Sequence, residues 1–384
     1  MFAISSAPTM PFRVTLVEDL VPIILDSTLW TATELVVLSL VSPAWLHPVR
    51  KCLYRHPTIT SENQCRYLVR TLQSAETLQS FVKGINLWLE QFPVLVRGVV
   101  AIRFALNLDG LESFSFLSPT ATFLMQKITR HRLVQRIRIL PLKGPLKTLD
   151  SFGPRSIVEW HPQQAAKFIS LKKLTISGAT LHITPPSTTP YEFHLSDLII
   201  SRCAIIYGSL PQLLHPMSWS HLRSLFILVP RERGVVEGSE KYGLGTILSH
   251  CEHVLQCFHL EYQSTRASIL VSNLFQDAIE GQSQLVSLRK LHLVNILPRQ
   301  SWSTILQKIG RRCPNLEVLK MIGCHLSPSA LQEIAAPVDI ADARLIFPRL
   351  ISLETPGEIL RSDGERSVPF PCGEAADEDS CDEW

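Results

Sequence analysis

The sequence predicts an α/β protein: a short N-terminal three-helix domain, then an irregular leucine-rich-repeat solenoid of parallel strands and alternating helices, then an acidic tail. Three observations predict it. Leu316, Leu319, Met321, Cys324 and Leu326, preceded by Pro314 and Asn315, give the spacing L-x-x-L-x-L-x-x-C-x-L of a leucine-rich repeat. The front of the chain shows apolar spacing of helical period instead. After Gly364 the chain runs into Glu374, Asp377, Glu378, Asp379, Asp382 and Glu383, a like-charge block of the kind that stays disordered. A repeat solenoid is a binding surface far more often than a catalytic cavity.

Four segments follow: a flexible lead-in over 1–14, a helical domain over 15–60, the repeats over 61–362 and the tail over 363–384. Pro8 and Pro11 forbid an early helix. Leu16, Leu20, Ile23 and Ile24 then stand at helical spacing. A second helix is expected from Thr33 as N-cap, with Glu34 in its first turn and Leu35, Leu38 and Val41 along it. Ser42 followed by Pro43 starts a third, holding Trp45, Leu46, Val49, Cys52 and Leu53, with Arg50, Lys51 and Arg55 toward its end, where positive charge suits the helix dipole.

From about residue 60 an L-x-x-L-x-L pattern recurs, starting near Val82, Leu111, Val134, Leu171, Leu195, Leu222, Leu255, Leu288, Leu316 and Leu350. The mean period of roughly 30 residues is that of one strand plus a helix or loop per repeat. Helices are expected between strands at 121–130, 162–168, 302–311 and 329–335, and surface loops at 183–191 and 231–241.

The bulk numbers narrow the function classes. With 384 residues, 46% hydrophobic and 18% charged, the chain can bury a large core and is no disordered protein. A net charge of +3 gives no global case for nucleic acid. Nine cysteines without a C-x-x-C pair, some such as Cys203 and Cys324 in repeat positions, read as buried reduced thiols and hence an intracellular compartment, cytoplasm or nucleus. No membrane span is expected, because the apolar run 92–102 is short and broken by Pro93 and Arg97. Met1–Met10 lacks the pattern of a secretory signal.

Residues 16–56 resemble the F-box-like domain of the large fungal (basidiomycete-type) family of F-box and leucine-rich-repeat proteins. Leu16, Leu20, Ile23, Ile24, Leu25 and Asp26 carry the resemblance, then Leu38-Ser39-Leu40-Val41-Ser42, Ala44-Trp45-Leu46, Pro48, Arg50, Leu53 and Tyr54. Val17 stands where that family has proline, and Asp19 where it has glutamate. The stretch 68–89 is similar to the linker and first strand of such proteins. The resemblance implies binding of a Skp-type adaptor and, through it, membership of a cullin–RING ubiquitin ligase, with the repeats holding a protein substrate and no bond chemistry in the chain itself. The alternative is a repeat scaffold outside ubiquitination, its N-terminal helices capping the solenoid.

The candidate adaptor surface is Leu16, Leu20, Ile24, Leu38, Val41, Trp45 and Leu46. A domain this small cannot bury all of them in its own core. The candidate ligand surface follows from strand alternation: the third, fifth and seventh repeat positions face the concave side. That places Trp88, Arg136, Arg138, Lys173, Thr175, Ser201, Phe226, His259, Lys290, His292 and Lys320 there. Several are basic, which suits an acidic or phosphorylated substrate. The cluster His250, Cys251, His253, Cys257 and His259 raises a metal question, but Leu255, Phe258 and Leu260 fit a strand that breaks any helical pairing of His253 with Cys257, and no second pair stands at zinc spacing. Phosphate-loop, nucleophile-elbow, H-E-x-x-H and dinucleotide signatures are absent from the sequence. Neither a catalytic residue nor a metal or cofactor is expected.

Overall fold

A computed structural model describes residues 20–21, 23–25, 30–88, 103–117, 121–122, 124–125, 128, 131–141, 157–165, 167–185, 194–230, 239–263, 284–296, 302–322, 347–355, 358–361 and 366–367. These divide into two compact units. One takes the described residues up to Trp88 together with 103–111, the other those from Glu112 onward.

In the first unit, Leu20–Val21 and Ile23–Leu25 are helical. Helix α1 is Ala32–Leu38. Its N-cap is Thr31 rather than Thr33, because Thr31 stands three residues before Glu34 and closes a capping box. The Thr31 backbone N–H donates to the Glu34 carboxylate at 2.7 Å, and the Glu34 N–H donates to Thr31 Oγ1 at 3.3 Å. Helix α2, Pro43–Arg55, starts on proline as expected, although the Ser42 hydroxyl caps nothing. Helices α3, Glu62–Ser74, and α4, Glu76–Gln79, follow. Strands β1, Thr58–Ile59, and β2, Gly84–Leu87, pair in parallel. Val21, Leu25, Leu35 and Val49 form the core of the helical part, with Trp30, Leu38, Trp45, Cys52 and Leu53 packed against them.

The second unit is mixed α/β and built on a long parallel sheet, as a repeat solenoid is. Its early strands are β3 (Ser113–Leu117), β4 (Arg136–Leu140), β5 (Ile157–Trp160), β6 (Lys173–Ser177), β7 (Thr180–Ile183), β8 (Asp197–Ser201) and β9 (Ala204–Tyr207). There follow β10 (Ser224–Val229), β11 (Cys257–Tyr262), β12 (Lys290–Val294), β13 (Val318–Ile322), β14 (Ser352–Thr355), β15 (Glu358–Arg361) and β16 (Arg366–Ser367). The strands β3, β4, β6, β8, β10, β11, β12, β13 and β14 lie side by side in that order, all parallel, and β15 and β16 add antiparallel. Every L-x-x-L-x-L segment from Leu111 onward supplies one of these parallel strands.

The register explains the leucine spacing. Phe114, Ile137, Leu174, Leu198, Leu225, Phe258, Leu291 and Leu319 are successive partners across the sheet. Phe116, Ile139, Ile176, Ile200, Ile227, Leu260, Leu293 and Met321 form the second rung in the same way. Both rungs are buried, as are the first-position leucines Leu171, Leu195, Leu222, Leu255, Leu288 and Leu316. Each buried leucine is worth about 1.5–3 kcal/mol of apolar transfer.

Segments that return between strands cover this face. Three of them form a second parallel sheet, ordered β5-β7-β9, that the sequence reading missed. Thr180–Ile183 is strand where a loop was expected to begin. The reason is that L-x-x-L-x-L scanning registers only the long sheet, while Leu181 and Ile183 obey their own two-residue alternation. Ser239–Tyr242, α7, is likewise a helical turn, not loop, and the Tyr242 hydroxyl donates to the buried Cys203 carbonyl at 2.8 Å. Of the expected interstrand helices, α9 forms at Trp302–Arg312, whereas of the described residues in 162–168 only Pro162–Ala165, α5, are helical; α6, Pro216–Trp219, and α8, Leu244–His250, also stand between strands. The described parts of 121–130 are helical. The 329–335 helix, Cys324, the lead-in and nearly all of the expected tail lie outside the described residues.

Cys203 shows what the repeat's cysteine position does: its buried Sγ donates to the Ile176 carbonyl of the neighbouring repeat at 3.3 Å, and burial pushes the thiol up to about 12. Asn315 Nδ2 likewise donates to Val286 O at 2.7 Å.

Gly208 follows β9 at φ +78°, and a Cβ there would meet the Ile183 carbonyl oxygen at 2.3 Å. Gly208→Ala should therefore lose more than about 1 kcal/mol in urea unfolding, through positive φ and backbone collision together. An unchanged midpoint would refute this account of the turn.

Candidate functional site

The alternation that buries the leucines turns every other side chain of the long sheet to its opposite face. In the row through the strand centres, Arg138, Thr175, Ile199, Phe226, His259, His292 and Lys320 are register partners on seven successive strands. A parallel row carries Arg136, Lys173, Asp197, Ser224, Cys257, Lys290 and Val318. Ser201 stands in a third row, beside Ser177 and Leu228, so the register brings together all of the proposed ligand-surface residues except Trp88, which follows β2 in the first unit. Ile199, Asp197 and Glu261 also stand on this face. The same alternation marks them.

At the centre, the Phe226 and His259 rings stack at 4.2 Å with 21° between planes. His259 and His292 meet edge to face at 5.5 Å, with their Nδ1 atoms 3.5 Å apart. His259 Nε2 lies 3.1 Å from Glu261 Oε2. A carboxylate can only accept, so the His259 Nε2–H donates to Glu261. His292 is not displayed to solvent as expected. It is only 3% exposed, because its neighbours on β11 and β13 close over it. Burial, then the adjacent His259, Lys320 and Lys290, lowers its pKa to about 4. At neutral pH His292 therefore adds no positive charge to this face, on which Arg136, Arg138, Lys173, Lys290 and Lys320 also stand.

The second surface is on the N-terminal helices. Leu16 lies outside the described residues. Leu20, Ile24 and Val41 are exposed, and Leu46 is half-buried. Leu38 and Trp45 instead pack into the unit's own core, since helical spacing sets them beside Leu35 and Val49. The structure adds Ile23, Val36, Val37 and Leu40 to the exposed apolar set, with Leu40 at 81% and Val41 at 61%. A turn continues past α1, with Leu40 N–H donating to Val37 O and Val41 N–H to Leu38 O, so Val37, Leu40 and Val41 stand together at the end of that helix.

The histidine–cysteine cluster disperses onto separate partners. Cys251 is buried with Sγ donating to Ile247 O at 3.1 Å, and His250 Nδ1 meets Thr246 O at 2.7 Å. His253 pairs with Glu252 at 3.0 Å. Cys257 and His259 sit two apart on β11. Among the described residues, no three metal-ligating side chains converge, and no helix is long and apolar enough to cross a membrane.

No family model matches the chain, and no curated protein matches it. Among solved structures, a leucine-rich-repeat protein of Leptospira interrogans aligns over 78% of this chain and 99% of its own, at 12% identity and a TM-score of 0.18. So loose an overlap transfers neither fold nor function; the repeat reading rests on the register above.

The unfolded chain protonates His292 near its ordinary value of 6.5, the folded chain only near 4. Between those values the unfolded state binds more protons, so the His292 contribution to stability falls as pH drops from about 6.5 to about 4. His292→Gln should flatten that part of the stability–pH curve, measured by urea midpoint at half-unit steps. A variant curve as steep as the parent's would show that other groups set it.

Proposed function

We propose that this protein is a non-catalytic substrate receptor of a cullin–RING ubiquitin ligase, docking a Skp-type adaptor on its N-terminal helices and a protein substrate on the open face of the repeat sheet. The observation that carries the reading is the apolar cluster at the end of α1. Val36, Val37, Leu40 and Val41 stand exposed where the same segment already buries Leu35 and packs Leu38. Contiguous exposed apolar surface of this kind marks a protein contact. The resemblance of 38–46 to the F-box-like segment supports an adaptor as that contact.

The long sheet supports the other half. It offers cationic, aromatic and aliphatic side chains at fixed spacing on a rigid support, which is what recognition of a protein segment requires. Such a receptor accelerates transfer by raising effective concentration and fixing orientation. A repeat scaffold outside ubiquitination would use the same face and differ only in having no adaptor on α1.

Co-expression of the full chain with a Skp-type adaptor tests the reading. The wild-type chain should co-purify with it, and the double variant Leu40→Asp, Val41→Asp should lose the complex while keeping its melting temperature, because neither side chain is in the core. Trp45→Ala, by contrast, should lower the melting temperature. Failure of the wild-type chain to bind would leave the scaffold reading in its place, and retention of the adaptor by the double variant would overturn the end of α1 as its docking surface.

A further inference from the structure

We propose that Glu261 anchors a peptide site on the open face, taking the lysine or arginine side chain of an extended substrate segment that carries an apolar side chain two or three residues away. This deepens the substrate-receptor reading and rests on it. The juxtaposition that points to it is one carboxylate, held by a stacked imidazole, in a row of aliphatic side chains.

Register sets the row. Leu228 on β10, Glu261 on β11, Val294 on β12 and Ile322 on β13 are successive partners toward the C-terminal ends of their strands. Leu228 is buried, Val294 half-buried and Ile322 38% exposed. Phe226, two residues before Leu228 on the same face, adds a half-buried ring. A carboxylate among such neighbours is partly stripped of water, and it gains most from a cation that brings its own hydrogen-bond donors.

The carboxylate is also oriented. The Phe226 ring stacks on His259, and the His259 Nε2–H donates to Glu261 Oε2 at 3.1 Å. Glu261 Oε1 takes no hydrogen bond from a described residue, and among the described residues no lysine or arginine pairs with Glu261. One oxygen is therefore fixed and the other open. Orienting the group before a ligand arrives lowers the ordering cost of binding. His292, one strand away, is neutral at pH 7 and sets no second positive charge against an incoming cation. Lys320, two strands away, is in register with Glu354 on β14.

The geometry then sets a sequence rule. Strands lie about 4.8 Å apart, so Val294 and Ile322 stand about 5 and 10 Å from Glu261 across the sheet. An extended segment crossing the strands advances about 3.3–3.6 Å per residue, so the second or third residue from the cation meets the Val294–Ile322 surface. The aliphatic stem of lysine or arginine lies on apolar neighbours while its head meets the carboxylate. An acidic side chain, or the phosphates of a nucleic-acid strand, would meet a like charge at Glu261.

The test uses the full chain, immobilised, to select from a random nonapeptide library. The expected consensus is a lysine or arginine with an apolar residue two or three positions away. Against a selected peptide, Glu261→Gln, which keeps an acceptor for His259, should lower affinity about tenfold without changing the melting temperature. Replacing the basic residue of that peptide by glutamine should cost about as much on the wild-type chain and little on Glu261→Gln, because the two changes remove one interaction. Ile322→Ser should relax the choice at the apolar position and leave the basic one.

Selected peptides without a basic residue would overturn Glu261 as the anchor and leave the receptor reading standing. So would losses that simply add when the peptide and Glu261 are changed together. Selection of no peptide at all would overturn both the anchor and the docking of a substrate segment on this face.

Discussion

The structure depends on one constraint: apolar side chains two residues apart must meet their counterparts on both neighbouring strands at once. Parallel pairing at matched register satisfies it along the second unit, from Phe114 through Leu174 and Leu225 to Leu319. Side-chain period in a strand is two, so a slip of one residue would turn a whole rung outward. Burial of the leucines therefore fixes the register, and the register fixes everything on the other face. Arg138, Phe226, His259 and Lys320 come from distant parts of the sequence, yet they form one row because Ile137, Leu225, Phe258 and Leu319 do.

Between repeats, a few buried polar contacts complement the rungs. Cys203 Sγ reaches the Ile176 carbonyl, Asn315 reaches Val286, and the Trp160 indole N–H donates to Leu213 O at 2.8 Å. The Ile176 and Leu213 carbonyls so satisfied are buried, and a buried carbonyl left without a donor costs about 1–3 kcal/mol. Coverings of the leucine face can then vary from the small β5-β7-β9 sheet to helix α9 without altering the ladder. Lys241 on α7 adds a further device: its Nζ donates to the carbonyls of Ile205 and Ile206 on β9, at 3.2 and 2.8 Å. A cation placed there occupies edge acceptors that could otherwise pair with another chain.

The two units present contrasting surfaces. The N-terminal helices leave aliphatic side chains in water and bury a small core. The long sheet buries two rungs of apolar side chains and presents charge, imidazole and a stacked phenyl ring on its other face, with Ile199 among them. The physical consequence is general: apolar burial supplies affinity with little discrimination, while charges held at fixed positions discriminate between ligands.

The sequence by itself determined the long strands. From Leu111 onward their starts were legible because each needs the same three apolar positions, and that need is local. It also determined which side chains alternate outward, and so most of the open face. Only the tertiary structure decided the rest. Leu38 and Trp45 turn inward while Leu40 and Val41 stay in water, a choice made by the packing of α1 on α2. His292 is closed over by neighbours from other repeats, and its neutrality comes from that burial. The β5-β7-β9 sheet escaped notice because its short strands gain their stability from each other across the fold, and no local repeat announces a partner that lies some twenty or more residues away.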